Sequence, residues 1–261
     1  MRYPIYQINA FSNQPFSGNP ACVVPLTAWL PDAVMLAIAQ QNAVAETAFF
    51  IEQGTRIQLR WFTPEIEMDL CGHATLATAH CLVAHRNYTH RPIEFTTKSG
   101  SLFVSLKDGR YQLDLPSRPA QEAVPPKIVQ DALSIPPKEV YKARDYLLVY
   151  ETQTQIEALE INRSIFDQIN LNPGGVIVTA PGDTSDFVSR FFTPQASILE
   201  DPVTGSAHCT LVPYWSKRLQ QTSLEAYQCS LRGGKLWCEA KGQRVLISGL
   251  ATTFSAGSFS V

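Results

Sequence analysis

The chain repeats itself. Arg60-Trp61-Phe62-Thr63-Pro64 recurs as Arg190-Phe191-Phe192-Thr193-Pro194, an offset of 130, and Cys71-Gly72-His73-Ala74 recurs as Thr204-Gly205-Ser206-Ala207, an offset of 133. The second copy therefore gains three residues between its Thr-Pro pair and its glycine. Downstream the register holds: Gly100 and Gly233 each lie 28 residues past that glycine, and Gly109 and Gly242 each lie 37 past it. Matches that keep register over such a span are the mark of one fold encoded twice.

Each copy has the same order of signals. A stretch that reads as helix follows each glycine, Ala74 to Arg86 and Ala207 to Leu219, and both are mostly apolar all round, as a helix at the centre of a domain should be. Each copy then closes on a hairpin, Ser101–Lys107 with Arg110–Leu115 and Lys235–Ala240 with Gln243–Ser248. The first copy has a further helix over Leu30 to Asn42, opened by Pro31-Asp32. The linker is proline-rich, Leu115-Pro116-Ser117-Arg118-Pro119 and then Pro125-Pro126, which places the boundary near residue 117. The halves are thus 1–117 and 118–250, with the last strand, 251–261, free to pack back on the first. A sheet that surrounds an apolar helix must curl, so the expectation is an α+β fold of two pseudo-symmetric halves. Each would be a barrel-like, mostly antiparallel sheet around a central helix.

Bulk properties exclude several classes of function. Apolar residues make up 45% of the chain and charged residues 17%, enough for a real core. The net charge is −2 with basic residues scattered, which argues against nucleic-acid and membrane partners. No apolar run approaches the roughly 18–20 residues of a membrane span. Met1-Arg2-Tyr3-Pro4 enters a strand-like segment with no leader pattern. The six cysteines, at 22, 71, 81, 209, 229 and 238, form no C-x-x-C pair, so neither a disulfide framework nor a metal site is expected. These features point to the cytoplasm. Walker-type and G-x-G-x-x-G loops are absent, and no cofactor is expected.

The helix entries are where chemistry should sit. Small residues there leave the first backbone N–H groups open, and with the positive end of the helix dipole they make an anion site. Gly72-His73 and Gly205-Ser206 both have this form. If the halves are related by a pseudo-twofold, the loops Cys71-Gly72-His73 and Thr204-Gly205-Ser206 face each other across one cleft, and a small carboxylate substrate would lie between them.

Four segments carry a resemblance to a known family: Phe16-Ser17-Gly18-Asn19-Pro20-Ala21, Glu46-Thr47-Ala48-Phe49-Phe50, Cys71-Gly72-His73-Ala74-Thr75, and Glu200-Asp201-Pro202-Val203-Thr204-Gly205-Ser206-Ala207. In order and spacing they resemble the PhzF-like isomerases of phenazine biosynthesis, over essentially the whole chain. The resemblance implies a diaminopimelate-epimerase-like fold, cofactor-independent proton-transfer chemistry and frequent homodimers. It also implies that Glu46 is the general acid/base and that His73, Asp201 and Ser206 complete the catalytic set.

The residues themselves suggest how such a set would work. Glu46 lies in an otherwise apolar run, Ala43 to Ile51, where a carboxylate is out of place unless it is used. His73 stands at a helix N-terminus, whose dipole favours the neutral imidazole. Asp201 falls in the three-residue insertion and would hold a substrate amino or hydroxyl group. Ser206 would supply an N-cap-like hydroxyl and, with Gly205, donors to a carboxylate. Gly72, Gly205, Cys71 and Thr204 would line the substrate. His208, one turn onward, reads as packed within its helix.

Related epimerases use a thiol from each half on opposite faces of one carbon. Here Cys71 is matched by Thr204, whose hydroxyl is far too weak an acid for that role. One carboxylate moving one proton fits better. Three other readings stand beside it: an amino-acid epimerase or racemase using Cys71, a non-catalytic binding protein for small carboxylates, and a Cys71–His73 hydrolase. The last is the weakest, because side chains at i and i+2 of a helix start should diverge.

Overall fold

Short clusters of β-branched and aromatic residues build the strands of this protein. The structure, a computed structural model, describes residues 1–171 and 174–261. They form two compact units, Met1–Asp114 with Ile247–Val261, and Leu115–Leu246.

In the first unit, β1 (Arg2–Ala10) pairs antiparallel with β2 (Asn19–Leu26), which runs parallel to β3 (Glu46–Gln53). Next, β4 (Arg56–Phe62) is antiparallel to β3 and to the two-residue β5 (Glu67–Met68), and parallel to β6 (Ile93–Thr97). Then β7 (Gly100–Lys107) and β8 (Arg110–Pro116) follow as hairpins. Asp108 and Gly109, both at positive φ, make the tight turn between β7 and β8. Thr47 to Ile51 of β3 are all buried, as a strand covered on both faces requires.

The parallel pairs were not expected from the sequence, and each has a structural cause. A parallel connection needs a crossover, and a helix supplies it. For β2 to β3 the helix is α1 (Asp32–Asn42); for β4 to β6 it is α2 (Gly72–His85). Residues 72–79 of α2 are all buried, and the helix packs against β1, β2 and β3. The C-terminal strand, Ala251–Ser260, pairs antiparallel with β1 along its length.

The second unit repeats this wiring. After β9 (Gln121–Glu122) and α3 (Lys127–Asp131), β10 (Glu139–Lys142) is antiparallel to β11 (Tyr146–Val149) and β11 is parallel to β12 (Val176–Pro181). The crossover between them carries α4 (Gln153–Ala158) and α5 (Arg163–Phe166). Strand β13 (Phe187–Phe192) is antiparallel to β12 and to β14 (Glu200–Asp201), and parallel to β15 (Ser223–Gln228). A 3-10 turn, Gly205–Ala207, leads into α6 (His208–Leu219), ahead of the β15–β16 hairpin with β16 at Gly234–Lys241.

The two helices differ from the sequence reading at their ends. Helix α2 begins at Gly72 rather than Ala74, so Gly72 and His73 lie within its first turn. Helix α6 is apolar only over its first part, and Lys217, Arg218 and Leu219 reach solvent. Among the described residues no helix is long and apolar enough to cross a membrane.

Candidate active site

In the first unit the site begins where α1 ends. Ala43, at φ 50°, turns the chain out of the helix, and Asn42 donates to Thr47 Oγ1 at 3.0 Å, which anchors the start of β3. Glu46 is the first residue of that strand, with its side chain 15% exposed. Its Oε2 lies 3.1 Å from Nε2 of His73, a close charge contact rather than a directed hydrogen bond. Cys71 holds the N-cap position of α2 in extended backbone (φ −140°, ψ 111°), and its sulfur lies 3.5 Å from Nδ1 of His73.

That last distance corrects one expectation. Cys71 and His73 do not diverge, because Cys71 is outside the helix and its extended backbone swings the thiol back over the first turn. The imidazole therefore sits between a thiol and a carboxylate.

The electrostatics correct another expectation. Burial alone would pull His73 down, but the Glu46 carboxylate, together with the ring's hydrogen bond to the Cys71 sulfur, outweighs it and holds the imidazole well above its ordinary value of 6.5. An adjacent carboxylate overrides the helix dipole that favoured a neutral ring. Burial, reinforced by Glu46, pushes the Cys71 thiol up to about 11. At neutral pH this cysteine is a protonated thiol, which disfavours it as a nucleophile or base.

The second unit uses different groups at the same places. Thr204 takes the N-cap position, extended at φ −107°, and its hydroxyl donates to Asp201 Oδ2 at 2.6 Å. Gln228, fully buried at the end of β15, accepts from Thr204 N at 2.7 Å and donates to the Asp201 carbonyl at 2.7 Å. Ser206 sits within the 3-10 turn rather than at the cap, and its hydroxyl makes no hydrogen bond with the described residues. The cap position belongs to Thr204 because the helix entry starts one residue before Gly205.

Asp201 is not in the insertion. Phe191 pairs with Asp201 and Phe192 with Glu200, as Trp61 pairs with Met68 and Phe62 with Glu67. The counterpart of Asp201 is thus Met68, and the three extra residues lie earlier, between Thr193 and Leu199. The same closing hydrogen bond confirms this, Thr63 N to Ile66 O and Thr193 N to Leu199 O, both 2.9 Å.

The repeat motifs also carry a pair of arginines with a role that the motif alone does not reveal. Arg60 binds Glu67 in bidentate fashion at 2.7 and 2.8 Å, and Arg190 binds Glu200 likewise at 2.7 and 2.9 Å. Each ion pair pins a two-residue strand four residues ahead of Cys71 or Thr204. The signal was present, an arginine in each repeat motif and a glutamate at a constant distance before each helix entry. Gln228 had no such signal.

Comparison with known proteins agrees with this architecture. Residues 8–257 match the PhzC-PhzF family, described as phenazine biosynthesis-like protein. The chain belongs to that family. A Pseudomonas aeruginosa protein described as an uncharacterized isomerase is 46% identical over 258 residues, covering 98% of each chain. A crystal structure of a PhzF-family protein from Enterococcus faecalis superposes with a TM-score of 0.94 at 46% identity, covering all of both chains. A hydroxyproline epimerase from Agrobacterium vitis shares the fold alone, with a TM-score of 0.61 at 8% identity, covering 98% of this chain and 92% of that one. The family places this chain among enzymes of the isomerase class.

Proposed function

We propose that this isomerase works without a cofactor, Glu46 carrying one proton between two carbons of a small carboxylate substrate. The observation that supports this most directly is the 3.1 Å contact between Glu46 and His73 at the opening of α2, where the only carboxylate of the cluster meets a buried imidazole. In such a reaction Glu46 accepts a proton as a C–H bond breaks, and the electron pair spreads into the conjugated carboxylate. Glu46 then returns the proton to a second carbon, so atoms and electrons balance with no oxidant or reductant. His73 steadies the carboxylate when it is charged, and the open N–H groups at Gly72 favour negative charge developing on the substrate. In the second unit the same reading gives Ser206 and Gly205 the binding of a carboxylate, since the Ser206 hydroxyl has no competing protein partner among the described residues. Asp201, oriented by Thr204, takes a polar group of the substrate.

Two-thiol epimerisation draws no support from these groups. The Thr204 hydroxyl is committed to Asp201, and Cys71 holds its proton. All six cysteines are free thiols, which favours a reducing compartment such as the cytoplasm.

The test is a screen of small carboxylic acids in deuterated water, followed by NMR. A positional shift of hydrogen with deuterium uptake is expected with the native chain and with Cys71→Ser, and is lost in Glu46→Gln. Exchange that survives Glu46→Gln but disappears in Cys71→Ser would replace this reading with thiol-based epimerisation. Binding of an acid without exchange, unaffected by Glu46→Gln, would make the protein a carrier.

A further inference from the structure

Glu46, Cys71 and His73 offer a carboxylate oxygen, a thiol sulfur and an imidazole nitrogen, all within 4.8 Å of one another. Among the described residues this is the one group of three metal-ligating side chains so placed. We propose that the three side chains form an inhibitory site for a single thiophilic divalent cation of the Zn2+ type. Its inhibitory character rests on the role proposed for Glu46, whereas occupancy can be read with no substrate present.

Geometry carries the first part of the argument. Zinc bonds of about 2.3 Å to sulfur and about 2.0–2.1 Å to nitrogen, opened to the tetrahedral angle, put those two ligands about 3.5 Å apart. Cys71 Sγ and His73 Nδ1 already stand 3.5 Å apart. An ion seated on that edge needs the Glu46 carboxylate to leave Nε2 for the Nδ1 side of the ring. Three protein ligands with a fourth position open is the arrangement of zinc sites that bind a small molecule.

Charge carries the second part. A buried ion is tolerated only when it is compensated. One thiolate and one carboxylate cancel a divalent cation, and the imidazole adds a neutral ligand. Binding displaces the thiol proton and the proton on Nδ1. The helix dipole at this end opposes a cation, but two full negative charges in direct contact outweigh its half charge. The sulfur also selects: a hard cation such as Mg2+ prefers an all-oxygen shell and should not compete.

A functional consequence follows from the shared ligand. A cation that recruits Glu46 removes the carboxylate proposed to move the proton, so occupancy and proton transfer exclude each other. Glu46 is the partly exposed member of the three, so an ion reaches the cluster from its side.

The experiment titrates Co2+ into the full-length, metal-free chain. The expected result is one ion per chain with a thiolate-to-cobalt charge-transfer band and tetrahedral visible bands, both displaced by Zn2+ and untouched by excess Mg2+. Cys71→Ser should abolish the charge-transfer band and weaken binding by at least the roughly 10–100-fold that loss of even an outer partner costs a metal site. Glu46→Gln should keep the band with weaker binding. Cys229→Ser, which alters a half-buried thiol outside the cluster, should change neither. Circular dichroism of each variant checks that the fold is retained. An unchanged band in Cys71→Ser, binding unaltered by Glu46→Gln, or no stoichiometric binding to the native chain would each overturn the proposal.

Discussion

Glu46 and Gly175 occupy the same place in the two units. Thr47 pairs with Phe62 as Val176 pairs with Phe192, so the residue just before each is Glu46 in one unit and Gly175 in the other. The neighbouring positions diverge in the same way: Cys71 against Thr204, His73 against Ser206, Met68 against Asp201, and Thr75 against His208. Backbone and ion pairs are common to both units, while every side chain with chemistry to offer differs. Duplication preserved the frame because the frame is held by β-pairing and by the Arg60–Glu67 and Arg190–Glu200 pairs. The helix-entry side chains were free to specialise, one unit towards a charged proton carrier and the other towards a hydrogen-bonded polar scaffold.

This contrast can be broken experimentally, and the largest effect should come from its centre. Glu46→Gln keeps the shape of the side chain and removes the base, so kcat for the proton transfer should fall by roughly 10²–10⁴-fold. A fall below tenfold would place the base elsewhere.

The shared frame comes next. Arg190→Met strips Glu200 of its partner and leaves the carbonyls of Ile156 and Leu159, which accept from the guanidinium at 3.0 and 2.8 Å, unsatisfied. Loss of one partner from a largely buried pair costs about 3–5 kcal/mol, readable by urea denaturation. Arg60→Met should cost less, because Arg60 has a second, exposed partner in Asp32 but no buried carbonyls. Equal losses would mean that the ion pair alone sets the cost.

The histidines sharpen the comparison further. His208 is fully buried, its Nδ1 lies 2.9 Å from the Thr204 carbonyl, and burial lowers it to about 4, the opposite direction from His73. Below pH 6.5 the unfolded chain binds a proton that the folded His208 refuses until about pH 4. Stability therefore declines as pH falls through that window, by about 3 kcal/mol at its lower end. Melting curves of the native chain and His208→Gln should converge in slope only above pH 6.5, with the variant flatter below. Parallel curves throughout would show that another group governs the acid limb.

The smallest expected effect concerns Gly175. A Cβ there would lie 2.4 Å from Phe191 Cζ and 2.8 Å from the Phe192 carbonyl oxygen. Gly175→Ala should cost about 2 kcal/mol of stability, measured by denaturation, as overpacking a tight site does. A neutral outcome would mean that the second unit has room for the side chain that the first unit uses.

Much of this was legible in the order of residues. The duplication, the buried helix after each glycine and the closing hairpins follow from periodicity and turn chemistry, which are local properties. Glu46 stood out as the one carboxylate in an apolar run. The parallel pairings were not legible, because which strands meet across a crossover depends on how the whole sheet curls. Nor was the place of the three-residue insertion, since only strand register identifies Met68 as the counterpart of Asp201. Periodicity along the chain was enough to show that one fold is built twice and that each glycine opens a helical segment with a buried start. Only the tertiary structure brought Glu46 across 27 residues of chain to His73 and folded Cys71 back over that ring. Hydrogen-bond reach and charge are properties of distance in space, and a linear pattern records distance only along the chain.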